Sequence, residues 1–149
     1  TNGYLYLNGN LYLGSKSGVV SNSSSNITMS IDRFSYANGT IPKIATSGEV
    51  VIESNSTSFG DNTYLSWFEL NQNNHTISSF RLGKSNNTSN VYLNSSLTTA
   101  GPISAHGAYV GVSGNITSTA SGDIFLKGTG GWNDVEVSSA ITKTAGTAH

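Results

Sequence analysis

The sequence predicts an all-β chain wound as a parallel β-solenoid (β-helix) of about seven rungs. Three observations carry that expectation. Apolar residues recur with a period of two, a short lead-in of turn residues recurs before the strands, and charge is scarce. Only 10% of the 149 residues are charged, against about 25% in an ordinary domain. Ser 25, Asn 17, Gly 17 and Thr 16 make up half the chain.

Taken in order, the strand patterns are short. Tyr4–Leu7 reads Y-L-Y-L and Asn10–Leu13 reads N-L-Y-L. Asn26–Ile31 places Ile27, Met29 and Ile31 on one face. Ala108–Ser113 places Val110 and Val112 on one face, and Asp134–Ser138 reads D-V-E-V-S. Each is a strand with one buried face, bounded by Gly, Asn and Ser. Helix is disfavoured, because Glu and Lys are scarce and Gly, Ser, Asn and Thr are poor helix formers. Disorder is disfavoured as well, because β-branched and aromatic residues recur throughout and net charge is near zero.

The lead-in is a small turn residue, then Asn, Pro or Asp, then Ile, Val or Leu. It occurs at Gly9-Asn10-Leu11, Ser25-Asn26-Ile27, Ser89-Asn90-Val91, Gly101-Pro102-Ile103, Gly114-Asn115-Ile116 and Gly122-Asp123-Ile124. The starts at 89, 101, 114 and 122 are 12, 13 and 8 residues apart, so two steps from 101 to 122 make 21. One rung of about 20 residues then holds two or three strands with tight corners. Asn and Ser/Thr suit such corners, because their side chains bond nearby backbone. Low charge fits too, because like charges stacked at ~4.8 Å repel. The competing architecture is an antiparallel sandwich or jelly roll, which also has short strands and Gly/Asn turns.

Residues 55–80 depart from the pattern. A polar loop, Asn55–Asn62, precedes the aromatic stretch Tyr64–Leu70, and a polar turn, Asn71–His75, leads into Thr76–Leu82. Two readings stand: two rung strands with a wide loop, or a hairpin protruding from the side of the solenoid.

From Phe80 onward the order of several pieces becomes distinctive. They are Leu82-Gly83-Lys84, Asn87-Thr88, Leu97-Thr98-Thr99-Ala100-Gly101-Pro102-Ile103, Gly114-Asn115-Ile116-Thr117, Gly122-Asp123-Ile124-Phe125-Leu126-Lys127 and Ser138–Gly146. Together they resemble the repeat region of large secreted bacterial adhesins of the filamentous haemagglutinin type. The resemblance covers about the C-terminal half, and residues 1–53 match it in style alone. It implies a right-handed parallel β-helix, a secreted or cell-surface location, and adhesive or filament-forming use. It brings no catalytic residues.

Composition also excludes chemistry. With no cysteine there are no disulfides, thiolate metal sites or thiol nucleophiles. Net charge of −1 and a pI near 6.2 leave no electrostatic footprint for nucleic acid. Apolar runs such as Val50–Ile52 are far below the ~20 residues that span a bilayer. The acids Asp32, Glu49, Glu53, Asp61, Glu69, Asp123, Asp134 and Glu136 form no obvious catalytic pair. His75, His106 and His149 lack metal-site spacing, and no cofactor motif occurs. The expectation is a non-enzymatic chain without cofactor or metal.

Two sets of candidate sites remain. Nine N-x-S/T sequons occur, at Asn22, Asn26, Asn38, Asn55, Asn74, Asn86, Asn87, Asn94 and Asn115. Composition alone gives roughly four to five, so the set reads either as corner chemistry or as glycan acceptors. Some adhesins of the type this chain resembles are N-glycosylated in bacteria. Trp67 and Trp132, with Tyr4, Tyr6 and Tyr12, are candidates to stack on sugar rings.

The expected role is a structural or adhesive segment of an extracellular bacterial adhesin or surface filament. The alternative is a polysaccharide-active or glycan-binding, tailspike-like fragment of the same fold, or a glycan-binding sandwich. Residues 1–149 read as one β-helix segment, part of a longer chain or fibre. The expected partners are flanking β-helix segments or further copies end to end, with host or environmental glycans and no membrane insertion. Joining His149 to Thr1 gives T-A-H-T-N-G-Y-L-Y-L, which itself reads as a rung.

Overall fold

Alternating apolar and polar residues make a strand with one face for a core and one for water. The computed structural model describes residues 5–13, 19–20, 24–36, 41, 43–71, 75–131 and 134–144. Along them run β1 (Leu5–Leu13), β2 (Val19–Val20), β3 (Ile27–Tyr36), β4 (Lys43–Ile44), β5 (Glu49–Glu53), β6 (Thr63–Tyr64), β7 (Ser79–Leu82), β8 (Val91–Leu93), β9 (Leu97–Thr99), β10 (Ile103–Gly107), β11 (Val110–Val112), β12 (Ile116–Ser118), β13 (Ile124–Gly128), β14 (Val135–Val137) and β15 (Ile141–Lys143). The lead-ins at 25, 89, 101, 114 and 122 end where β3, β8, β10, β12 and β13 begin. The lead-in at Gly9 lies inside β1.

All strand pairings among the described residues are parallel, which decides for the solenoid over the antiparallel sandwich. A six-stranded sheet runs β1-β3-β5-β7-β10-β13, a four-stranded sheet β14-β11-β8-β6, a three-stranded sheet β15-β12-β9, and a two-stranded sheet β2-β4. In the six-stranded sheet the register is Leu5, Ile27, Val50, Phe80, Ile103, Ile124. The chain therefore advances by 22, 23, 30, 23 and 21 residues per turn, giving five turns. The described residues make about five such turns, and the expected seven rungs is approximate. The 21-residue period holds from Ile103 to Ile124, but the turn from Val50 to Phe80 takes 30.

That long turn contains residues 55–80. Thr63 and Tyr64 pair with Val91 and Tyr92, Glu69 bridges Lys43, and Ile77 bridges Thr99, all parallel. Phe59, Leu65 and Phe68 are buried. The segment is a widened turn of the solenoid, with a 3-10 turn at Leu65–Trp67, and not a protruding hairpin.

Inward side chains stack turn upon turn. One column is Ile27, Val50, Phe80, Ile103 and Ile124, each no more than 2% exposed. Others are Val91–Val110–Val135 and Leu93–Val112–Val137. Val135 and Val137 occupy inward register but are 39% and 46% exposed. Removing the rest from water is the main favourable term, about 1.5–3 kcal/mol per large side chain.

Corner polar groups bond the next turn. Asn26 Oδ1 accepts from Glu49 N at 2.9 Å, and Asn94 Oδ1 accepts from Ser66 N at 2.9 Å. Asn71, at φ 59°, donates to Thr98 O and accepts from Ile77 N. A second column, Thr99, Ser118 and Lys143, follows the three-stranded sheet. Thr99 and Ser118 hydroxyls both donate to Gly101 O, and Lys143 Nζ donates to Gly122 O.

Candidate functional site

The outward positions of the four-stranded sheet carry Tyr64, Tyr92, Gly111 and Glu136 in register. Their strand neighbours, Thr63, Val91 and Val110, are buried in the core. Parallel stacking at the strand spacing brings like rings together: Tyr64 and Tyr92 have centroids 4.6 Å apart and planes 8° apart. Trp67 packs on Tyr64 at 5.1 Å and on Phe34 at 5.9 Å. Tyr109 packs on Tyr92 at 5.7 Å, tilted by 51°. The result is an aromatic ribbon along the solenoid axis, Trp67–Tyr64–Tyr92–Tyr109.

Gly111 breaks the column of side chains. A Cβ there would lie 2.8 Å from Tyr92 Cδ1 and 2.9 Å from Tyr109 Cε1. The missing side chain lets both rings descend to the backbone. Beside them is a cleft of about 120 Å³ lined by Tyr92, Tyr109, Gly111, Ser113, Glu136 and Ser138. Tyr109 donates its hydroxyl to Glu136 Oε2 at 2.7 Å. That hydrogen bond is the main reason its pKa lies above the usual tyrosine value.

The outward face of the six-stranded sheet carries charges of both signs, Glu49 and Glu53 on β5, Arg81 on β7 and Lys127 on β13. Arg81 Nη2 bonds Glu53 Oε2 at 2.9 Å. His106 lies in register with Lys127, its ring 5.5 Å from Phe125. Its Nδ1 is buried without a hydrogen-bond partner. Burial, and then the charges of Lys127 and Arg81, hold its pKa below the ordinary histidine value.

Several other acids have structural partners. Asp61 faces Arg33 and Glu69 faces Lys43, each at 3.7 Å. Asp32 accepts from Ser56 N and Ser56 Oγ, which keeps its pKa below the ordinary aspartate value. No group of three His, Asp or Glu side chains among the described residues is arranged to hold a metal ion. No helix is long and apolar enough to cross a membrane, among the described residues.

The structure brings Trp67 into the ribbon, while Trp132 and Tyr4 lie outside the described residues, as do the side chains of Tyr6 and Tyr12. Tyr64, Tyr92, Tyr109 and Gly111 were not singled out from sequence. The signal was there in part: Tyr64 and Tyr92 each follow the first residue of a strand pattern. Of the sequons, Asn22, Asn38 and Asn74 lie outside the described residues. Asn55, Asn86, Asn94 and Asn115 are exposed, and Asn26 is half-buried.

Asn87 differs from these exposed sequons in the folded chain. It is 1% exposed, and Nδ2 donates to Ser89 O at 3.0 Å and His106 O at 2.9 Å. Both amide hydrogens are thus engaged in hydrogen bonds in the folded chain.

No protein-family model matches the chain, and neither a curated protein nor a solved structure matches it.

Proposed function

We propose that the chain is a structural and adhesive segment of an extracellular bacterial adhesin or surface filament, of the filamentous haemagglutinin type that its sequence resembles. It is a secreted or cell-surface scaffold and not an enzyme. The observation that carries this reading is the turn-on-turn stacking of a low-charge parallel solenoid, which lengthens by adding turns and presents long lateral faces. Val135 and Val137, inward in register yet exposed, fit a further turn laid over them, from flanking β-helix or another copy. Sequons at exposed corners fit a glycosylated surface protein.

The glycan-binding alternative is favoured by one observation, the aromatic cleft beside Glu136. The polysaccharide-cleaving version draws less support. Glycoside hydrolysis takes two carboxyls about 5–9.5 Å apart flanking the bond. Glu53, Asp61 and Glu69 instead face basic side chains, and Glu136 holds a tyrosine.

Beads coated with the folded chain test the proposal. They are expected to be retained on animal cell or polysaccharide surfaces above beads coated with heat-unfolded chain. Equal retention of the two, or release of oligosaccharide from a polysaccharide, overturns it.

A further inference from the structure

The geometry points to the cleft over Gly111 as a binding site for one pyranose ring of a neutral glycan, with Tyr92 and Tyr109 as its walls and Glu136 as its polar edge. This rests on the adhesive reading and gives it a ligand class and a place.

Sugar recognition needs two chemistries side by side. The C–H faces of a pyranose pack on aromatic rings, and its hydroxyls need fixed acceptors and donors at the ring's rim. The cleft supplies both. Tyr92 and Tyr109 meet at 51°, forming a V rather than a closed stack. Gly111 is what lets the two rings sit against the strand, since a Cβ there would fall within 3 Å of both. Glu136 is fixed at the rim by the Tyr109 hydroxyl, which uses Oε2 and leaves the other carboxylate oxygen to accept from sugar hydroxyls. Ser113 and Ser138 also line the cleft, the Ser138 hydroxyl donating to Val112 O and keeping its oxygen as an acceptor.

The same groups select against other ligands. A carboxylate at the rim repels sulfated, phosphorylated and sialylated sugars. A quaternary ammonium prefers a cage of ring faces, and two rings leave it open to water. At about 120 Å³ the cleft is smaller than the roughly 300–1,000 Å³ of sites for drug-sized molecules. It therefore takes a single ring, weakly. The ribbon toward Tyr64 and Trp67 continues along the axis, where the next residues of a linear glycan lie.

The test is an NMR titration of the ¹⁵N-labelled chain with neutral methyl pyranosides and their linear oligomers, with sialyl-lactose and choline as separate arms. Neutral sugars are expected to shift the Gly111 and Ser113 amides, and oligomers to bind more tightly than monomers. Tyr92→Ala and Glu136→Gln are each expected to weaken binding by about tenfold or more. Glu136 is exposed, so Glu136→Gln keeps the test valid if Tyr92→Ala unfolds the chain. Sugar binding that survives Glu136→Gln unchanged overturns the site, as does stronger binding of choline or sialyl-lactose. So does the absence of shifts with any neutral sugar. If coated beads still adhere in that last case, the site falls and the adhesive reading stands. If they do not, both fall.

Discussion

Tyr64 lies flat on Tyr92, centroids 4.6 Å apart and planes 8° from parallel, because the two residues are in register on neighbouring parallel strands. The spacing is that of the strands themselves. Tyr92 is the middle of the ribbon: it also packs on Tyr109 and covers Gly111. Aromatic pairs contribute about 0.5–1.5 kcal/mol each beyond burial. Tyr92→Ala is therefore expected to destabilise the chain by about 1–3 kcal/mol. Tyr92→Phe keeps both ring contacts and is expected to stay within about 0.5 kcal/mol. Urea unfolding of the two variants reads the difference, and equal losses would mean the rings are not what matters.

Val112 and Val137 form a controlled pair in one inward column. Val112 is 1% exposed and Val137 is 46% exposed. Val112→Ala removes buried methyl groups and leaves a cavity, at about 2 kcal/mol. Val137→Ala is expected to cost less than about 0.5 kcal/mol. Both are read from denaturation midpoints of the isolated chain at unchanged slope. Equal costs would contradict the difference in exposure.

Asn87 ties three successive turns together. Its Oδ1 accepts from Ser58 Oγ at 2.7 Å and Phe59 N at 3.2 Å, and its Nδ2 donates to His106 O at 2.9 Å. Asn87→Ala leaves those buried groups unpaired and is expected to cost about 2–4 kcal/mol. The same bonds separate it from its neighbour Asn86, which is exposed. In a host that N-glycosylates, peptide mass spectrometry is expected to find glycan at exposed sequons such as Asn55, Asn86, Asn94 or Asn115, and none at Asn87. Glycan on Asn87 of the folded chain would show that this corner is not built as described.

These residues also mark how far the sequence could be read. The lead-ins located the first residues of β3, β8, β10, β12 and β13, because turn chemistry and apolar alternation are local. The 21-residue turn from Ile103 to Ile124 was legible for the same reason. The number of turns was legible only approximately. The wide turn through Phe59, Leu65 and Phe68 buries its extra residues instead of looping out, and no local signal distinguishes the two. The aromatic site was hidden for a related reason. Tyr64, Tyr92 and Gly111 are 28 and 19 residues apart, and only the register across turns makes them neighbours. Asn87 reads as a sequon like the others until its partners on adjacent turns are known.

His106 gives the chain an acid-dependent term whose sign can be worked out. It lies beside Lys127 on β13 and is influenced by Arg81 on β7, which itself pairs with Glu53 on β5. Burial first, and then these two cations, disfavour its charged form, so its folded pKa lies below the unfolded value near 6.5. Between those two values the unfolded chain binds the proton that the folded chain refuses. Its contribution to stability is therefore fully present above about pH 6.5 and is lost as pH falls toward and through the folded pKa. Unfolding measured from pH 7.5 down to 5 is expected to show wild type losing stability relative to His106→Gln, with the gap opening below about pH 6.5. The ring protons of His106 are expected to titrate with a midpoint below 6.5 in the folded state. Parallel stability curves for the two proteins, or a midpoint above that value, would mean that the ring is solvated in solution and that Nδ1 is not buried.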